Sequence, residues 1–206
     1  MLYTMGQAEL ATTLFPAGDL PKSRIRELAR EMRLELADKP DSADICFVPD
    51  GDYKQFVRNR LPARAGVIRD RDGAIVGEHD GVAGFTVGQR KGLGVALGEK
   101  RFVTTIDAES NVVTIGAEED LMSPALVAEN VNWIEGAPPP NAVYATVKIR
   151  YRTPAASATV TPLDDRCARV EFDDPQRAVT PGQAAVFYRG DEVIGGGAIR
   201  EAAKSK

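Results

Sequence analysis

The spacing of apolar positions changes character along this chain. In "DLPKSRIRELAREMRLEL", Ile25, Leu28, Ala29 and Met32 recur at helical intervals, with Lys and Arg on the opposite face, which predicts an amphipathic helix. Pro21 suits the start of that helix, where a missing N–H costs nothing. "DYKQFVRNRL" predicts a second, shorter helix stopped by Pro62. Between the two, the apolar "ICFV" is short and β-prone, and reads as a buried strand or a pinned loop.

From Ala65 onward the pattern is one of strands and turns. "GVIRDRDGAIVGEH" predicts a hairpin around Asp72-Gly73, and "RFVTTIDAESNVVTIG" another around Ala108 to Asn111. Pro and acidic residues near "AEEDLMSP" mark a boundary. After it come six β-like runs: "ALVAENVNWI", "AVYATVKIRY", "ASATVTPL", "CARVEF", "QAAVFYR" and "EVIGGGAI". Short strands at this spacing predict a small closed or nearly closed barrel. The expected fold is α+β, mostly β. A helical segment occupies residues 1–60, a small α+β domain residues 61–120, and a six-stranded barrel residues 121–206.

One run is informative face by face. In "AVYATVKIRYR", alternation puts Val143, Ala145, Val147, Ile149 and Tyr151 on a core face and Tyr144, Thr146, Lys148, Arg150 and Arg152 on the other. Lys148, Arg150 and Arg152 then stand about 7 Å apart along an exposed edge with no acidic residue beside them, close to the spacing of backbone phosphates. A solvated barrel face is the plain alternative.

Composition narrows the picture without deciding it. The 206 residues are 43% hydrophobic and 27% charged, with a formal net charge of −4. These are ordinary values for a soluble globular protein. The total charge argues against a nucleic-acid coat but leaves room for a local basic face. No run of about 18 apolar residues exists for a membrane helix, and "MLYTMGQAEL" lacks the pattern of a signal peptide. Two cysteines in a chain of this length are too few for a secreted disulfide scaffold, so a cytoplasmic location is expected.

Candidate chemistry is sparse. "GFTVGQRKGLG" lacks the spacing, the Ser or Thr and the following helix of a phosphate loop. What remains is a glycine-permissive loop carrying Arg90 and Lys91, able to bring amides and cations to an anion. His79 is the single histidine, so neither a metal cluster nor a Ser-His-Asp triad is supported. Cys167, in "DRCARVEF", reads as a structural cysteine of a barrel strand. Cys46 is left as the one plausible nucleophile, with a buried small hydrophobe as the alternative.

Several stretches, in order, resemble the tRNA-specific 2-thiouridylases: "LATTLFPAGDLPKSRIRELA", "DSADICFV", "GEHDGVAGFTVGQRKGLG", "VKIRYR", "VTPGQAAVFY" and "GGGAI". Together they span nearly the whole chain. Two family features are missing, the ATP-pyrophosphatase phosphate loop and a first catalytic cysteine upstream of "DSxxICF". The resemblance therefore implies a C-terminal portion of such an enzyme: the tail of the catalytic domain, the linking domain and the barrel.

The resemblance also implies roles. In that family ATP, with Mg, adenylates C2–O of the wobble uridine of Lys-, Glu- and Gln-type tRNAs. A persulfide cysteine, charged by a sulfur-relay protein, then delivers sulfur, and the first cysteine can afterwards form a disulfide with it. Cys46 matches the persulfide cysteine, with Asp41, Ser42 and Asp44 shaping its loop. Arg150, Tyr151 and Gln183 match tRNA contacts; Arg90, Lys91, Lys148 and Arg152 are further candidates for anion contact. The chain by itself is expected to be inactive, needing the missing N-terminal catalytic portion. A non-catalytic RNA-binding barrel and one half of a split enzyme are the alternatives.

Overall fold

The computed structural model describes residues 2–40, 55–56, 59–60, 64–95, 98–151 and 153–203. The chain divides into two compact units, one of Leu10–Pro62 and one joining Met1–Glu9 to Ala63–Lys206. Among the described residues no helix is long and apolar enough to cross a membrane.

In the smaller unit, α2 (Lys22–Glu31) follows a short α1 (Gln7–Thr12), which begins in the larger unit. Pro21 is the N-cap of α2, with φ −65°. The helix ends in a left-handed turn at Arg33, φ 55°. There Leu34 N–H donates to Ala29 O at 2.8 Å and Arg33 N–H to Arg30 O at 2.9 Å, capping carbonyls the helix leaves open. Arg30 reaches Asp38 Oδ1 in the following turn at 2.7 Å. Ala29 and Ala37 are buried, while Leu14, Phe15, Leu20, Met32, Leu34 and Leu36 are exposed. Met32 departs from the expected apolar stripe because it falls at the C-cap, where the helical period has ended. Gln55 and Phe56 are helical, as expected for the second helix. Its remainder, and "ICFV", lie outside the described residues.

The larger unit holds two β-structures. Strands β1 (Gly66–Arg69), β2 (Ile75–His79), β3 (Phe102–Asp107) and β4 (Val112–Gly116) form a sheet in the order β2-β1-β4-β3. Both expected hairpins are present. They are joined by a parallel pairing of β1 with β4, a long-range contact that no local pattern signals. Ile68, Val103, Val113, Ile115 and Leu93 form the core of this sheet. Asn111 ties its start: the side-chain amide donates to Arg64 O at 2.7 Å and Ala65 O at 2.8 Å.

Strands β5 (Met122–Trp133), β6 (Val143–Lys148), β7 (Ala156–Pro162), β8 (Ala168–Arg177), β9 (Ala184–Arg189) and β10 (Glu192–Ala202) close into a barrel in the order β10-β5-β8-β7-β6-β9. Inward positions alternate as the sequence predicts; Ala168, Val170 and Phe172 of β8 are buried while Arg169, Glu171 and Asp173 face out. The triple glycine of β10 has a packing reason. A Cβ on Gly196 would lie 2.8 Å from the Tyr3 ring and 2.9 Å from Ala185 O, and one on Gly197 would lie 2.5 Å from Glu129 O. No side chain fits there.

Sheet and barrel share a small apolar cluster of Phe102, Leu121 and Ala178, with Val87 packed against it. That junction positions the residues considered next.

Candidate RNA interface

The chain leaves the β6 ladder after Lys148, and this corrects the strand-face reading. Ile149 is buried, as the alternation requires, but Tyr151 is 92% exposed rather than part of the core. Past the last ladder bond the backbone turns, so the period of two no longer dictates sidedness. Arg150 is not on an open edge either. Its Nη2 donates to Ala178 O and, at 3.4 Å, to Thr180 Oγ1. Its Nε is buried without a partner among the described residues. Burial, and secondarily the neighbouring Arg177, holds its pKa below the usual guanidinium value. An acidic residue does stand on this face, since Tyr144 Oη donates to Asp173 Oδ2 at 2.6 Å.

The partner of Arg150 is a bend. Ala178 has φ 53°, a left-handed conformation uncommon for a residue with a Cβ. Its N–H donates to Leu121 O at 2.7 Å. Thr180 Oγ1 donates back to Ala178 O at 2.9 Å. The turn that follows is strapped to β10: Gly182 N–H donates to Ile199 O at 2.8 Å, and Ile199 N–H to Gln183 O at 2.7 Å. Gln183 Oε1 is buried with no partner among the described residues. Tertiary structure therefore brings Arg150, and Tyr151 beside it, to the segment that carries Gln183.

The glycine-rich loop arrives at the same place. Gly88, with φ 86°, sits under the bend, so that a Cβ there would lie 3.2 Å from the Ala178 methyl and 3.4 Å from Arg177 Nη1. The loop closes the edge of β3, with Gly88 N–H donating to Val103 O at 2.8 Å and Val103 N–H to Gln89 O at 2.9 Å. Arg90 and Lys91 follow, both exposed. Arg90 also lines an open depression with Gly92, Gly94, Lys100 and Arg101, in which Arg101 pairs with Glu99.

Arg177 was not among the candidates read from the sequence. It lies 3.3 Å from Glu118 Oε1 and over the ring of Phe102 at 5.2 Å, cementing the junction. Its only sequence signal is adjacency to "AVTPGQ".

Cys46 and Arg152 lie outside the described residues. Lys148 is partly buried at the end of β6, opposite Val186. Cys167 is one residue before β8 rather than within it, in the turn whose Leu163 N–H bonds to Cys167 O at 2.9 Å. Its thiol is pushed up, first by burial and then by a hydrogen bond to Asp164, so it is a weak nucleophile. His79 is structural: Nδ1 accepts from Gly81 N–H at 3.0 Å, and the ring meets Phe85 edge-on at 5.0 Å. Among the described residues no group of three His, Cys, Asp or Glu side chains is placed to hold a metal.

Three family models match consecutive parts of the chain. A tRNA methyl transferase HUP domain covers residues 1–50, a tRNA methyl transferase PRC-barrel domain 54–117, and an aminomethyltransferase beta-barrel domain 123–199. The tRNA-specific 2-thiouridylase MnmA of Moorella thermoacetica is 46% identical over 205 residues, 98% of this chain and 57% of that protein. The proteins of the same name from Clostridium acetobutylicum and Nostoc punctiforme are each 44% identical over 97% of this chain and 57% of their own length. The chain thus spans a little over half the length of these relatives. With similarity running unbroken through all three regions, and the "IRYR" and "TPGQ" segments meeting in space, the chain belongs to the tRNA-specific 2-thiouridylase family, corresponding to a part of those proteins.

Proposed function

We propose that this chain is the sulfur-carrying and tRNA-binding part of a cytoplasmic ATP-dependent tRNA-uridine 2-sulfurtransferase. The observation that carries the reading is 46% identity sustained over 98% of the chain to a protein named for that activity. The division of labour follows the segments read from the sequence: residues 1–60 the tail of the catalytic domain, 61–120 a linking domain, 121–206 the barrel that meets tRNA.

Cys46 is the residue proposed to hold sulfur. Its thiolate takes the outer sulfur of a relay protein's persulfide, leaving that protein's thiolate and a Cys46 persulfide. The persulfide anion is the better nucleophile near neutral pH because it is more acidic than a thiol. It attacks C2 of a uridine whose oxygen has been adenylated, and AMP departs with that oxygen. Release of the sulfur from Cys46 needs a second thiol, which becomes its disulfide partner.

ATP does not fit the loops described in this chain. The glycine-rich segment ends in turns rather than a helix, so it offers no helix N-terminus to a triphosphate. ATP and Mg are assigned to the part of the family's length outside this match. Six exposed large apolar side chains in the smaller unit support a need for a further polypeptide portion there.

On the barrel, Tyr151 offers an aromatic face for stacking on an unpaired base, beside Arg150 and the Gln183 turn. Arg90, Lys91, Lys148 and Arg152 supply positive charge for phosphates.

The test supplies the remaining N-terminal portion in trans or by fusion, with ATP, Mg, a persulfide donor and tRNA. Cys46→Ser is expected to abolish 2-thiouridine and Cys167→Ser to leave it intact, because a hydroxyl cannot carry a transferable sulfur. Full activity of Cys46→Ser removes Cys46 from the mechanism. Thiolation by the chain alone refutes the need for the other portion.

A further inference from the structure

Resting on the tRNA-binding reading, we infer that Arg177 is a positioning residue for RNA recognition. It docks the glycine-rich loop of Arg90 and Lys91 against the bend that leads to Gln183, so that loop and barrel meet one RNA as a single surface. Arg177 closes β8, where it pairs with Met122 of β5, and the left-handed Ala178 follows it. Toward the barrel end, the Ala178 carbonyl accepts from Arg150, and Gln183 N–H donates to Thr180 O at 3.3 Å. Toward the loop, the Arg177 guanidinium lies over the Phe102 ring at 5.2 Å, with Nε 3.3 Å from Glu118 Oε1. Its Nη1 is 3.4 Å from the place a Gly88 Cβ would take. The step Arg177-Ala178 thus touches both contact regions.

The loop is a unit that such a dock can place. Gln89 braces it from within, its Oε1 accepting from Thr86 N–H at 3.0 Å and its Nε2 donating to Lys91 O at 3.0 Å. Two backbone bonds join it to Val103, the neighbour of Phe102 in β3. Gly88 is left-handed, and its bare Cα lets the loop close on the Ala178 methyl. Arg90 and Lys91 follow within three residues. Their position relative to Arg150 and Tyr151 is therefore set by how the braced loop seats on Arg177-Ala178. A guanidinium suits that seat, because its plane stacks on an aromatic ring while its edge pairs with a carboxylate. Whatever Arg177 itself offers to RNA, disturbing it also removes the contribution of Arg90 and Lys91.

The experiment uses the 206-residue chain and unfractionated bacterial tRNA, with affinity measured across a salt series. Amide exchange at Gly88 and Val103 is followed in parallel without RNA. Arg177→Met is expected to weaken binding about tenfold, to make the salt slope shallower by about two phosphate contacts, and to speed exchange at Gly88. Gly88→Ala reaches the same dock from the loop side with every charge retained, and is expected to do the same, since its methyl meets that of Ala178 and its left-handed φ disfavours a Cβ. Replacing Arg90 and Lys91 together by Ala is expected to weaken binding in the wild-type background and to add little to Arg177→Met. Full additivity there, with an unchanged salt slope in Gly88→Ala, makes Arg177 a direct ligand alone and overturns the inference. So does a lowered melting temperature with unchanged affinity, or unchanged Gly88 exchange in Arg177→Met. If the wild-type chain does not bind tRNA, the RNA reading itself falls, and the exchange measurement alone decides whether Arg177 docks the loop.

Discussion

The side-chain amide of Asn132, on β5, donates to the carbonyls of both Tyr3 (2.9 Å) and Met5 (3.0 Å), fastening the first turn of the chain to the barrel wall. Gln7 Nε2 adds a bond to Ile134 O at 3.0 Å, and the Tyr3 ring lies on Gly196. The opening residues of the stretch matched by the HUP model, 1–50, are thereby part of the barrel's surface.

This attachment has measurable consequences. Asn132→Ala removes two hydrogen bonds and is expected to cost about 2 kcal/mol in a denaturant titration. Gly196→Ala is expected to cost about 1–3 kcal/mol, since the added methyl meets backbone as well as the Tyr3 ring. The single tryptophan, Trp133, packs against Phe187 at 5.8 Å, so its emission reports the transition. An unchanged midpoint for both variants makes the attachment incidental.

Cys167 is expected to react slowly with iodoacetamide at neutral pH, its rate climbing into a range above that of an ordinary cysteine. Burial and the hydrogen bond to Asp164 both disfavour the thiolate. Asp164→Asn removes a negative neighbour and is expected to move the rate profile down in pH. Measured on Cys46→Ser protein, a profile that does not move excludes Asp164 as a cause.

Asp107 is held below the usual carboxylate range, first by the hydroxyl of Ser110 and then by the Ser110 and Glu109 amides in the β3–β4 turn. A depressed folded-state value gives stability that is present above the unfolded value near ~3.9 and is lost as pH falls through the folded one. Ser110→Ala is therefore expected to raise the Asp107 titration midpoint, followed by carboxyl-carbon NMR, and to reduce hairpin stability at neutral pH more than in acid. A midpoint that stays where it was assigns the depression to the amides alone.

Much of this architecture is legible along the chain. Asp72-Gly73 and Ala108 to Asn111 mark the two hairpins, because local side-chain bonds and left-handed positions are properties of short segments. The barrel strands follow from alternation, as in Ala168, Val170 and Phe172. The family follows from motif order. Tertiary structure alone decided the pairing of β1 with β4 and the reason for the triple glycine. It also decided the surroundings of Arg150, read as an exposed cation and found donating to the carbonyl of Ala178, 28 residues away. Each depends on which distant backbone comes within a few ångströms. Periodicity tells a residue's side of its own strand; it carries no information about the neighbour that the closed barrel brings against it.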